Sequence, residues 1–273
     1  MPAILPLLDA ATDTFSTNYA LAGALTGFVV GLTGVGGGAL MTPILLLVFG
    51  VSPGTAIATD LWFAVITKVV GASIHQRSGQ VDWQVVRRLW TGSLPVALAA
   101  VLAVSLGHGF AKVTWLTQAI GVVVLVTAAG LLLAPRLSAW ARNRRIGNPA
   151  QFKHMQPRST VAAGAVLGLC VALTSVGAGA LGSVFLLYLY PLRMTPHRLV
   201  ATDLVHAIPL AMVAGCGYLL AGMVDWRMLS SLLAGSLPSI VAGSLLAQKL
   251  AGRWIQVLLA LVLIAAGFKT LSS

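Results

Sequence analysis

The chain has 273 residues, of which 58% are hydrophobic and only 8% are charged. Soluble domains carry about 25% charged residues, because polar side chains must cover the surface that faces water. The composition therefore excludes a soluble globular protein and predicts an all-α polytopic membrane protein. The formal net charge of +11 is interpreted as a topology signal and not as a nucleic-acid-binding surface, since Lys and Arg concentrate in cytoplasmic loops.

Eight apolar stretches are long enough to enter or cross a hydrocarbon core of about 30 Å. A polar stretch at 135–159 carries six basic residues and no acid, which predicts a cytoplasmic linker between membrane repeats at 20–134 and 160–273. Residues 1–19 are predicted to be an extracytoplasmic segment without signal-peptide cleavage, because they contain no Lys or Arg. The apolar stretches are 20–49, 54–74, 89–110, 115–134, 160–190, 199–221, 229–248 and 254–271.

Four motifs occur twice, in the same order and at nearly constant spacing. They are LTGVGGGAL (32–40) and LTSVGAGAL (173–181), ATDL (58–61 and 201–204), VDW (81–83 and 224–226) and GSLP (92–95 and 235–238). The offset is 141 residues for the first motif and 143 for the others, which indicates a duplicated membrane unit. The VDW motifs are predicted to begin helices at the membrane interface, with Asp as the cap and Trp in the aromatic belt.

The first apolar stretch of each repeat contains a glycine-rich break. Residues 34–38 read GVGGG, a run that would interrupt a helix, so the stretch is either a broken spanning helix or a re-entrant hairpin. Hairpins place thirteen Lys and Arg inside and three outside, against eleven and five for spanning helices. The charges favour inverted repeats, each with a Gly-broken first helix and three spanning helices, and both termini extracytoplasmic.

The two breaks are the predicted substrate site. Non-helical backbone at membrane depth is tolerated where it lines a cavity, and a helix that begins at a break directs its N–H groups toward an anion. The predicted substrate-binding residues are Thr33, Gly34, Val35, Gly36, Gly37, Gly38, Lys68, Thr174, Ser175, Val176, Gly177 and Gly179. Other small residues, at a spacing of four, are instead predicted to permit close helix packing: Gly23, Gly27, Gly31, Gly164, Gly168 and Ala172.

Four Asp, Lys and His residues lie well inside the apolar stretches, away from their ends, where such groups are rare and are functional candidates. Asp60 and Asp203 are repeat equivalents, predicted either to couple transport to a proton or ion or to act as N-terminal helix caps near the membrane surface. His206, one turn after Asp203, either relays protons or bonds a neighbouring helix. Lys68 either attracts an anionic substrate or snorkels toward the cytoplasmic interface.

The residues do not predict an enzyme, a cofactor or a metal site. The five histidines are scattered and only six acids occur, so neither a metal cluster nor a catalytic triad is expected. Gly34-x-Gly36-x-x-Ala39 followed by Asp60 mimics a dinucleotide fingerprint. That fingerprint requires a preceding strand in a soluble βαβ unit, whereas this copy lies inside apolar sequence.

The string GLTGVGGGALMTPILLL at 31–47 is followed by ATDL and by an H-x-x-x-G-x-V-D-W ending at 75–83. These motifs resemble the TauE/SafE family of bacterial membrane proteins, also called sulfite exporters or the toluene-sulfonate uptake permease family, over residues 20–271. The resemblance implies secondary transport of sulfite, sulfoacetate or a sulfonate across the inner membrane, with sulfite and export favoured. A passive anion channel is the alternative. A coupling proton and assembly as a homodimer are both left open.

Overall fold

A computed structural model describes residues 16–33, 38–75, 81–106, 113–147, 149–247 and 252–272. Within these residues the chain forms ten helices and no strand, as an all-α protein should. The helices are α1 Thr17–Thr33, α2 Gly38–Leu47, α3 Pro53–His75, α4 Trp83–Leu106, α5 Val113–Gly147, α6 Pro149–Thr174, α7 Ala180–Leu189, α8 Pro196–Leu220, α9 Trp226–Ala247 and α10 Gly252–Ser272. Of the described helices, α4, α5, α6, α8 and α9 are long and apolar enough to cross a membrane, which confirms a polytopic membrane protein.

The first two helices of each half fold back on each other. Gln156, in the part of α6 far from the break, donates through Nε2 to the Leu189 carbonyl at the end of α7, at 2.6 Å. The chain therefore reverses its direction at 175–179, between these two helices. The rings of Tyr19, at the start of α1, and Phe49, just after α2, correspondingly lie 4.6 Å apart between centroids.

Glycines line two close seams between the halves, one joining α1 to α9 and the other α4 to α6. A Cβ at Gly27 would lie 2.6 Å from the Ser236 carbonyl oxygen, and a Cβ at Gly164 would collide with the Leu89 carbonyl group. The helix backbones can approach this closely only because these glycines have no side chain. The packing prediction is confirmed for Gly23, Gly27, Gly31, Gly164 and Gly168.

Corresponding helices of the two halves run in opposite directions where they pack. Gly121, near the start of α5, lies against Leu271 at the end of α10. Further along α5, Leu125 lies against Gly267, which comes earlier in α10. Gly54, at the start of α3, faces Met223 just after α8, and Trp62 further along α3 donates through Nε1 to the Gly215 carbonyl within α8, so these two helices are antiparallel as well.

The duplicated ATDL and VDW motifs meet across the two halves. The Asp225 backbone N–H donates to Thr59 Oγ1 at 3.3 Å, and the Asp82 backbone N–H donates to Thr202 Oγ1 at 3.1 Å. Each Asp carboxylate then accepts the backbone N–H of the residue three positions later, at 3.4 Å after Asp82 and 2.9 Å after Asp225. The prediction that these aspartates cap helices is confirmed.

Asp82 also makes an ion pair that its repeat equivalent lacks. The buried carboxylate Oδ2 lies 2.5 Å from Arg193 Nε and 3.9 Å from Arg198 Nη2, whereas Asp225 makes no ion pair within the described part of the chain. We expect Asp82→Asn to lower the thermal midpoint in detergent and reduce the free energy of unfolding by about 1–2 kcal/mol, since Asn still caps the helix but leaves the guanidinium without its carboxylate. Asp225→Asn is the matched control, and an equal loss there would assign the effect to capping.

The predicted linker at 135–159 continues the flanking helices. Its residues form the end of α5, which reaches Gly147, and the beginning of α6, which starts at Pro149. Trp140 stacks on Tyr188 with ring centroids 5.9 Å apart, so this extension of α5 contacts α7. The cytoplasmic location of the linker and the domain bounds stay predictions, and residues 1–15 of the predicted N-terminal segment lie outside the described residues.

Candidate functional site

The second glycine-rich break is a left-handed backbone turn between α6 and α7. Ser175, Gly177 and Gly179 have φ angles of 58°, 129° and 121°, a region that glycine adopts without the steric cost that a Cβ brings. The corresponding residues of the first copy are Gly34, Gly36 and Gly38. Thr33 is the last residue of α1 and Gly38 the first of α2. The predicted site residues between them, Gly34, Val35, Gly36 and Gly37, lie outside the described residues.

The two hydroxyl groups that lead into the second break, those of Thr174 and Ser175, differ in whether they are hydrogen-bonded. Thr174 Oγ1 donates to the Cys170 carbonyl at 2.6 Å and accepts the Val176 N–H at 3.1 Å, so its hydroxyl is engaged in ending α6. The Val176 side chain is buried in the apolar core. The buried Ser175 hydroxyl has no hydrogen-bond partner and lies next to the carboxylate of Asp60. Ser175 therefore carries the hydroxyl that a ligand could use.

Asp60 lies in the interior of α3 and faces α2. Its side chain is fully buried, and Oδ2 accepts a hydrogen bond from Thr42 Oγ1 at 2.5 Å. Oδ1 has no partner. The alternative prediction of an N-terminal cap is wrong, because α3 begins at Pro53, about two helical turns earlier.

Asp203 occupies the equivalent place in α8 and faces α7. Because α8 begins at Pro196, the N-terminal cap prediction is wrong here too. Its carboxylate Oδ1 packs so closely on Gly182 that a Cβ there would overlap it. The side chain is 4% exposed and Oδ1 has no hydrogen-bond partner. The carboxylate thus lies at the beginning of α7.

Lys68 points into the protein and not toward the membrane interface. Its side chain is buried, and Nζ donates to the Ala178 carbonyl of the break at 3.1 Å. The ammonium interacts electrostatically with both Asp60 and Asp203. The snorkelling interpretation is therefore wrong, since the positive charge lies at the turn between α6 and α7.

His206 is fully buried on α8, one turn after Asp203. Its Nε2 lies 3.0 Å from Ser93 Oγ on α4, and its Nδ1 has no partner. The carbonyl oxygen of His206 accepts from Trp90 Nε1 at 3.2 Å. Of the two predicted roles, the bond to a neighbouring helix is confirmed, and the proton relay stays a prediction.

The structure brings these predicted residues together as one buried polar cluster, composed of Asp60, Lys68, Ser175, Asp203 and His206. In the described part of the chain, no group of three or more His, Cys, Asp or Glu side chains could hold a metal ion. Sequence reasoning missed the partners of the cluster, which are Thr42, Ser93, the Ala178 carbonyl and Gly182. Ser93 belongs to the duplicated GSLP motif, and Thr42 follows the GVGGG break. The duplication could therefore have indicated Ser93, and the position after the break could have indicated Thr42.

Paired hairpin helices with a broken turn, inside an apolar helical protein that buries charged side chains at this turn, define a membrane transport protein. The chain belongs to the TauE/SafE family, since the family model described as "Sulfite exporter TauE/SafE" matches residues 19–270.

Similar proteins are named as membrane transporters. The chain is 34% identical to "Probable membrane transporter protein YjnA" of Bacillus subtilis (strain 168), over 93% of this chain and 99% of that protein. It is 27% identical to "Probable membrane transporter protein YdhB" of the same organism, over 81% of this chain and 85% of that protein. A "Probable membrane transporter protein" of Haemophilus influenzae is 27% identical over 61% of this chain and 60% of its own length. No solved structure matches the chain.

Proposed function

We propose that the protein is a secondary active transporter that moves a small sulfur oxyanion or organosulfonate across the bacterial inner membrane. Sulfite is the favoured substrate and export the favoured direction, as the family description suggests. The observation that carries the proposal is the buried Lys68 ammonium, held 3.1 Å from the Ala178 carbonyl at the turn of a broken helix pair. A desolvated cation at such a turn provides attraction for an anion that enters the protein.

The chemistry of the second break suits an oxyanion. Sulfite and sulfonates present several oxygens that accept hydrogen bonds. The cluster offers the Lys68 ammonium and the unpartnered Ser175 hydroxyl, and α7 begins here with its positive dipole end. We propose that residues 33–38 of the first half approach the same anion from the other side. The residues predicted from the sequence are therefore proposed as the substrate site, except that the Thr174 hydroxyl and the Val176 side chain are engaged within the protein.

The proposed mechanism is alternating access between two halves inserted in opposite senses. Its support is that α5 and α10 cross in antiparallel directions and that α6 and α7 fold back at the break. With re-entrant hairpins, each half crosses the membrane an odd number of times, so both termini lie on one side and the linker at 135–159 on the other. Because the linker is basic, we propose that it is cytoplasmic and that both termini are extracytoplasmic. The coupling ion is proposed to be a proton, carried by one of the buried titratable residues Asp60, Asp203 and His206.

Transport by the purified protein in proteoliposomes tests this function. We expect saturable uptake of sulfite or a short sulfonate such as methanesulfonate, and accumulation of the anion when a pH gradient is imposed across the vesicle membrane. Protein-free liposomes and sulfate-loaded vesicles provide the background and the specificity control. Anion currents that neither saturate nor respond to the pH gradient would indicate a passive channel. Transport of a cation and of none of these anions would contradict the anion site itself.

A further inference from the structure

The outer end of α7, which is the end away from the break, is tied to α4 of the other half by charged side chains. Arg193 follows α7 and donates through Nη2 to Asp82 Oδ1 and through Nη1 to Gln84 Oε1, each at 2.9 Å. Its Nε lies 2.5 Å from Asp82 Oδ2, so the guanidinium is bidentate on a carboxylate that is only 2% exposed. We call these three residues, Asp82, Gln84 and Arg193, the latch.

Tyr190 adds to this connection at the same end of α7. Its buried hydroxyl lies 2.8 Å from Thr160 Oγ1 on α6 and accepts from Arg88 Nη1 on α4 at 3.4 Å. Glycines hold α4 and α6 in close contact, so these two helices together support the end of α7. The end of α7 can leave this support only if the ion pair and these hydrogen bonds break.

The first half has no such connection. Its corresponding segment, 48–52 between α2 and α3, contains no charged residue, and within the described residues Asp225 makes no ion pair of the kind that Asp82 makes. Phe49 instead packs against an apolar cluster that includes Met228 of α9. Because α3 and α8 are antiparallel, the segments that precede them lie at opposite ends of the molecule. Only the end at α7 is therefore closed by a charged contact between the halves, among the described residues.

The helix α7 connects the latch to the proposed substrate site. It has ten residues, Ala180–Leu189, and spans about 15 Å at a rise of about 1.5 Å per residue. Its inner end adjoins the break, where Lys68 Nζ donates to the Ala178 carbonyl at 3.1 Å. A short helix moves as a rigid body, so a displacement at the latch also displaces the break.

We propose that the latch is a gate, which must open before the substrate site becomes accessible from the membrane face where α4 begins. This inference rests on the proposed function, because it assumes alternating access. With the latch closed, the site is reached from the opposite face, and breaking the ion pair shifts the population toward the other state. The latch face is the cytoplasmic one in the proposed topology, so an exporter has to open the latch to take up its substrate.

Sided thiol labelling of the full-length protein, in right-side-out and inverted membrane vesicles, tests the gate. Ser175→Cys places a thiol at the break, in a parent chain whose two native cysteines, Cys170 and Cys216, are replaced by Ala. With the latch intact, a membrane-impermeant thiol reagent should label this position faster from the extracytoplasmic face. Adding Arg193→Gln should raise the rate from the cytoplasmic face by about tenfold, because it removes a charged hydrogen-bonded pair that favours the closed state. The rate from the other face should fall.

Three further variants separate the gate from a general effect on the fold. Gln84→Ala removes one bond of Arg193 and leaves the ion pair, so it should shift both rates in the same direction by less. Arg193→Lys keeps the positive charge and should keep most of the closure, although an ammonium cannot be bidentate on the carboxylate. Arg87→Gln removes an exposed arginine of α4 and should leave both rates unchanged.

The outcomes distinguish the gate from the transport function. Unchanged rates in Arg193→Gln, or faster labelling from both faces at once, would overturn the gate and leave the proposed function intact, since neither result concerns anion uptake. A parent protein that is labelled equally from both faces, and that shows no saturable anion uptake, would overturn both.

Discussion

Replacing Lys68 by Met is expected to weaken anion binding by about thirtyfold or more. The physical reason is that losing one partner of a buried charge pair, here the pair that Lys68 is proposed to form with the anion, costs about 2 kcal/mol or more. Met keeps most of the length of the side chain and loses the ammonium. The two neighbouring carboxylates of Asp60 and Asp203 would then face the incoming anion without a compensating charge. The measurement is the methanesulfonate affinity of the purified variant, accompanied by the initial rate of uptake in proteoliposomes.

Two further variants separate the charge of Lys68 from its packing. Lys68→Arg keeps the positive charge and should recover part of the affinity, although the planar guanidinium cannot reproduce the ammonium contact with Ala178. Lys269→Met removes an exposed lysine near the end of α10 and should leave affinity unchanged. If Lys68→Met binds the anion as tightly as the wild type, the ammonium serves only to hold the Ala178 carbonyl of the break.

Substituting Gly27 by Ala is expected to destabilise the protein by about 1–3 kcal/mol, the usual cost of overpacking a close contact. The added Cβ would lie 2.6 Å from the carbonyl oxygen and 2.7 Å from the Cα of Ser236. Because these are backbone atoms, only a separation of α1 from α9 could make room. Gly168→Ala in the other seam should have the same effect, since its Cβ would lie 2.9 Å from the Cα of Ser93. The thermal midpoint and the monodisperse fraction in detergent measure the loss.

Gly130→Ala is the matched control for the seam variants. A Cβ at Gly130 would meet only side-chain atoms of Val184 and Leu181, at 3.5 Å or more, which is ordinary van der Waals contact. Alanine is favoured over glycine in a helix by roughly 1 kcal/mol, so this variant should be neutral or slightly more stable. Seam variants as stable as Gly130→Ala would show that the two halves do not rely on these close contacts.

Much of the architecture follows from local sequence patterns. The apolar stretches predicted an all-helical membrane protein because crossing a hydrocarbon core requires long helices whose backbone bonds are satisfied internally. The seam glycines were predictable because their spacing of four repeats one face of a helix. The second break was predictable because Gly177 and Gly179 adopt positive φ angles that other residues avoid.

The roles of the ionisable residues were less predictable. Lys68 fits either a snorkelling or a buried side chain, since its flexible aliphatic stem can carry the charge in either direction. From the sequence, Asp60 and Asp203 are compatible with helix caps, and only the positions where α3 and α8 begin show that they are not. The two aspartates could be paired from the repeat, but their neighbours could not, because Thr42 beside Asp60 and Gly182 beside Asp203 lie on other helices.

The sequence by itself therefore determined the membrane class, the duplication, the position of the breaks and the short set of intramembrane charges. These depend on composition, periodicity and backbone preference, which are local properties of the chain. Only the tertiary structure decided that α1 packs on α9 and α6 on α4, and that Lys68 reaches the turn at Ala178. These contacts join residues far apart in the chain, and the packing of several helices at once selects them.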